Sequence, residues 1–124
     1  DEDTSQLAVC LETILGYAGS ARNVQALLDK GMTATQILAE GISDARILEL
    51  SGVSLDAILY YVNQDIPVLA SFNDNSAVLV IGFNEQNIVV MDPKTGTIYK
   101  KGMNDSAQWF EENGNQFVTY VYEK

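Results

Sequence analysis

Ser76-Ala77-Val78-Leu79-Val80-Ile81-Gly82-Phe83 is almost wholly apolar, and after the short link Asn84 to Asn87 it is answered by Ile88-Val89-Val90-Met91-Asp92-Pro93. Two Val- and Ile-rich runs joined by so short a polar segment read as an antiparallel hairpin. Ala77 to Phe83 carries no charged position at all, which predicts a central strand buried on both faces. To either side, Pro67 to Phe72, Thr97 to Lys100 and Gln116 to Tyr122 are also strand-like, each bounded by Asn, Asp or Gly. One helix interrupts them around Ser106 to Asn113, with Asn104 or Asp105 as its expected cap and Gly114 as its stop.

The first half of the chain has a helical period instead. Leu7, Cys10, Leu11, Ile14, Leu15 and Ala18 fall on one helical face after Asp3-Thr4-Ser5-Gln6, which has capping-box form, and Gly19 closes the segment. Val24, Leu27 and Leu28 before Gly31 form a shorter helix. Thr33-Ala34-Thr35-Gln36 opens another that ends at Gly41, and Ser54 caps a fourth with Leu55, Ile58, Leu59 and Val62 on one face. Arg46 to Leu50 reads equally as a short strand or a turn. Helices followed by mostly antiparallel strands define the α+β class.

The length of 124 residues suits one domain, spanning 1–124. An opening Asp1 in place of Met suggests one part of a larger protein. Seven basic against seventeen acidic residues give a net charge of −10, so this is an acidic domain poorly suited to nucleic acid or anionic lipid. No apolar run is long enough to insert in a membrane. The sequence contains no histidine, which removes His-ligated metals and the commonest general base. Its single cysteine, Cys10, excludes an internal disulfide and Cys-cluster metal sites. No cofactor or metal is implied, and one free thiol leaves the compartment undetermined.

The order of elements, together with Leu15-Gly16-Tyr17-Ala18-Gly19, Asp65-Ile66-Pro67-Val68-Leu69-Ala70, the Ser76–Phe83 strand and Asn87 to Asp92-Pro93, resembles the C39-like peptidases. These are papain-like cysteine peptidases, some of which process bacteriocin leaders within ABC transporters. The resemblance covers nearly the whole chain. It implies a helical first half packed on an antiparallel sheet, and a catalytic set of three: a Cys opening the first helix, a His opening the central strand, and an Asp before Pro that orients the His. In this chain the His position falls on Ser76 and the Asp position on Asp92. Counting back from Gly19 places the nucleophile position on Gln6, with Leu7 and Ala8 where the family has Gly-Pro. Cys10 lies one turn further in, on the apolar stripe, where a thiol is expected to be buried and inert.

The resemblance therefore implies a degenerate peptidase with no catalytic residue, acting as a peptide- or protein-binding module in a larger bacterial protein. Gln6, Ser76 and Asp92 are the family-site positions left to line a binding cleft. Degenerate domains of this family at the N-terminus of some ABC transporters hold unfolded substrates for secretion. The net charge favours a neutral or basic partner segment. The competing expectation is an active hydrolase using Cys10, or Ser76 with Asp92. Each residue also has a plainer reading: Asp92-Pro93-Lys94-Thr95-Gly96 is a turn, Ser76 a strand-entry hydroxyl, and Gln6 the capping partner of Asp3. Asn73-Asp74-Asn75 is read as a solvated hairpin turn and not a calcium loop. Of Trp109 and Phe110, one should pack on the sheet; of Tyr60 and Tyr61, one should be exposed, with a place on the cleft rim as its functional option.

Overall fold

A computed structural model of the chain describes residues 5–122. Six strands form one sheet, antiparallel throughout, in the order β1-β6-β2-β3-β4-β5. Their ranges are β1 Ala45–Glu49, β2 Val68–Ser71, β3 Ala77–Phe83, β4 Asn87–Met91, β5 Ile98–Gly102 and β6 Gln116–Tyr122. The helices are α1 Gln6–Tyr17, α2 Val24–Asp29, α3 Ala34–Gly41, α4 Leu55–Val62 and α5 Met103–Glu112. Among the described residues no helix is long and apolar enough to cross a membrane.

The strands' alternation assigns their side chains to two cores, one per face. On one face Leu69, Ala77, Leu79 and Tyr120 pack with Cys10, Leu11, Ile14 and Leu15 of α1 and with Val24, Ile37 and Leu38 of α2 and α3. On the other, Val68, Ala70, Val78, Val80, Ile88, Val90 and Phe117 pack with Leu55, Ile58 and Leu59 of α4 and Phe110 of α5. The helices of the first half are thus divided, and α4 joins α5 beneath the sheet. β3 takes a central place and Ala77 through Val80 are buried, but the expected burial does not extend along the whole run: Ile81 and Gly82 are half-buried and Phe83 is exposed at the strand's end. The hairpin after it closes through Asn84, whose side chain accepts from the amides of Gln86 and Asn87, both at 2.8 Å.

The Arg46 to Leu50 ambiguity resolves as β1, an edge strand that pairs, among the described residues, with β6 alone. Thr33 and Gln36 form the capping box read from the sequence. Two caps differ from expectation. α1 begins at Gln6 with Ser5 as its N-cap, accepting from Ala8 N at 3.1 Å, while the Asp3 of the expected box lies outside the described residues. α5 begins at Met103 directly after Gly102 with no side-chain cap, so neither Asn104 nor Asp105 serves as its cap. The Met103 amide instead donates to Gln86 O at 2.8 Å, and the backbone of the β3–β4 link does the capping.

Candidate functional site

The family-site positions sit where α1 meets the opening of β3. Gln6 is the first residue of α1, and its Oε1 accepts from the Ala77 amide at 3.3 Å, across 71 residues of sequence. That bond anchors the helix N-terminus beside Ser76. Ser5 N donates to Gln25 Oε1 at 2.8 Å, holding the same end against α2. Ser76 is engaged by Asp74 and not by Gln6: its hydroxyl and its amide both donate to Asp74 Oδ1. Those two bonds hold the Asp74 carboxyl below its ordinary range.

Asp92 follows Met91, which pairs with Leu79, so it lies at the end of the strand beside β3. Its side chain is engaged locally. Oδ1 accepts from Lys94 N at 2.9 Å, while the backbone bonds Gly96 N→Asp92 O and Asp92 N→Thr97 O close the turn at 2.8 and 2.9 Å. Gly96 takes a φ of 75°, the left-handed geometry for which glycine is suited. Among the described residues no hydrogen bond joins Asp92 to Ser76 or Gln6. The structure brings Gln6 and Ser76 side by side and leaves Asp92 serving its turn.

Cys10 is fully buried. Burial, and secondarily the Asp92 carboxylate, push its thiol up from 9.0 to about 12. A thiol with that environment is a poor nucleophile at neutral pH, and it faces the core rather than solvent.

A hollow of about 280 Å³ opens at this end of α1, bordered by Ser5, Leu7, Ser71, Phe72, Ser76 and Gln116. Its rim is tied together by contacts that the sequence reading did not foresee. Asn73 N donates to Asn113 Oδ1 at 3.1 Å, and Gln116 Nε2 donates to Asn73 Oδ1 at 3.0 Å and to Asn113 O at 2.8 Å. Asn73 is 40 positions from Asn113 and 43 from Gln116, and no local pattern announces the clasp. Phe72 backs the hollow by stacking on Trp109 with centroids 4.5 Å apart, while Phe110 is the aromatic buried against the sheet. Lys101 Nζ lies 4.6 Å over the Trp109 ring. Tyr60 is the exposed member of its pair and sits on α4, the helix on the opposite face of the sheet from α1. Asn73 to Asn75 make the β2–β3 turn. Among the described residues no cluster of His, Cys, Asp and Glu could hold a metal ion.

A helix N-terminus set against the opening of a central antiparallel strand, with Asp-Pro closing the next strand, is the layout of papain-like proteins. More narrowly, the chain has a C39-like peptidase fold. A structure from Bacillus anthracis described as a C39-like peptidase superposes with a TM-score of 0.80 at 15% identity, covering 98% of this chain and 90% of that one. The N-terminal peptidase C39-like domain of a toxin secretion ATP-binding protein from Vibrio parahaemolyticus superposes with a TM-score of 0.66 at 16% identity, covering 98% of each chain. No family model and no curated protein matches the sequence significantly.

Proposed function

We propose that this chain is a non-catalytic C39-like domain that binds a peptide or protein segment as one part of a larger bacterial protein. The observation that carries this reading is the Gln6–Ala77 bond. A carboxamide, which is neither a nucleophile nor a proton carrier at neutral pH, occupies the first position of α1 and spends its oxygen on the backbone of the strand opposite. Around it, the Ser76 hydroxyl is bound to Asp74, the Asp92 carboxylate to its own turn, and the lone thiol is buried. With no histidine in the sequence, neither a thiol nor a hydroxyl has its usual activating base. Binding and bond cleavage draw on partly separate groups, so a cleft outlives the loss of its chemistry. The net charge of −10 favours a neutral or basic segment.

The test has two arms. Incubated with unfolded casein, the purified protein should release no new peptide termini, and the casein should nevertheless perturb amide resonances around Gln6, Ser76 and Gln116. Turnover that disappears in Cys10→Ala or Ser76→Ala would overturn the loss of catalysis. Absence of any resonance change with casein or with basic peptides would overturn the binding role.

A further inference from the structure

The far end of α1 holds a second feature, about 16 Å along the helix from Gln6 at 1.5 Å per residue. Tyr17, the last residue of α1, is 61% exposed. With Pro67, Ile81 and Asp65 it lines a slot of about 150 Å³, room for a single side chain. Asp65 stands just past the end of α4, so the slot lies where the C-termini of two helices converge.

The charge supplied by the slot's lining and by the two helix ends is of one sign. A helix C-terminus carries partial negative charge and is normally met by Lys, Arg or His in the last turn. Neither α1 nor α4 has a basic residue there. Asp65 adds a full negative charge, and among the described residues it has no ion-pair partner. Its backbone departs from the pattern of the chain as well. α1, α2 and α5 close with glycine in the left-handed conformation, at Gly19, Gly31 and Gly114, but α4 closes with Asp65 at φ 63° in the same hydrogen-bonded motif. A carboxylate is therefore held where both conformation and electrostatics favour another residue.

We infer that the slot between Tyr17 and Asp65 takes a lysine side chain of a bound polypeptide segment. The proposal deepens the peptide-binding reading and rests on it. The aliphatic stem packs on Pro67 and Ile81, and the ammonium lies between the Tyr17 ring and the Asp65 carboxylate, offsetting the two helix ends. A cationic side chain of that kind suits a chain of net charge −10.

The probe is an acetylated octapeptide alternating serine and lysine, titrated into isotopically labelled protein. The same peptide carrying Nε-acetyl-lysine is the control. The lysine peptide should shift the amides of Tyr17, Asp65 and Ile81 saturably, and the acetylated one should not. Asp65→Asn, which tolerates the same backbone conformation, and Tyr17→Ala should each weaken binding roughly three- to tenfold. Tyr17→Phe should retain it, and so should Glu85→Gln, an equal charge change in the β3–β4 link outside the slot lining. Asp65→Asn should also raise the urea midpoint of the free protein. If the slot amides stay fixed, or Glu85→Gln weakens binding as much as Asp65→Asn, the slot is not a lysine site. Shifts confined to the Gln6 and Ser76 end would overturn the slot while leaving the binding module standing.

Discussion

The thiol of Cys10 gives the sharpest test of the proposed loss of catalysis. A thiol at 9.0 is roughly 1% ionised at pH 7, and one raised to about 12 holds about a thousandfold less thiolate. Cys10 is also fully buried, so a reagent reaches it only through a local opening of α1 against the sheet, which slows reaction further. Iodoacetamide labelling at pH 7, followed by mass spectrometry in buffer and in unfolding urea, measures both effects together. The native rate should fall at least about a thousandfold below the rate in urea. Because Gln6 is the first residue of α1 and only half-buried, the contrasting variant is Gln6→Cys in a Cys10→Ser background. Its thiol meets the positive end of α1 and should label faster than a model thiol. Native Cys10 labelling at or above the urea rate would refute the reasoning, since burial and the Asp92 charge could not then be suppressing the thiolate.

Alkaline pH offers a second measurement. The folded pKa of Cys10 lies above its unfolded value, so its contribution to stability is whole below pH 9 and is lost as pH climbs toward 12, at up to about 1.4 kcal/mol per pH unit. Tyr120, raised to about 12 by burial and by the neighbouring Tyr122 and Tyr17 phenols, acts in the same direction, so the urea midpoint should fall across that window and less steeply in Cys10→Ala. Gly41→Ala should destabilise by about 1–3 kcal/mol in urea unfolding despite alanine's better helix propensity, because the new Cβ would meet Leu15 Cδ2 at 2.5 Å. Phe110→Ala should cost about 3–5 kcal/mol by the same assay, since it removes a ring buried between Phe72, Trp109 and Phe117.

Periodic elements were readable because their information is local. The apolar run of β3, the helical stripe holding Cys10 and the Thr33–Gln36 box each lie within a few turns of chain. Features made of distant partners were not. β1 stayed ambiguous because its strand character comes from pairing with β6, from Ala45 opposite Tyr122 to Glu49 opposite Val118. The cap of α5 was misassigned because a backbone carbonyl at Gln86 does the work of a side chain. Gln6 reads locally as a capping residue, and only the folded chain brings Ala77 within reach of its carboxamide. The Tyr17 and Asp65 slot is assembled in the same way, from the end of α1, the link between α4 and β2, and β3. Position in a family pattern pointed to Gln6, Ser76 and Asp92, while what each side chain bonds to required the structure.

The placement of β6 between β1 and β2 has a consequence for how the chain comes off the ribosome. β1 finds its only strand neighbour in the last strand of the described chain, so the sheet stays split until residues near 122 have emerged. Until then both flanking edges stand open, and Phe117 and Tyr120 are missing from the two cores. The domain completes its tertiary structure only once β6 has emerged, and the interval before that is the natural one for a chaperone to hold it.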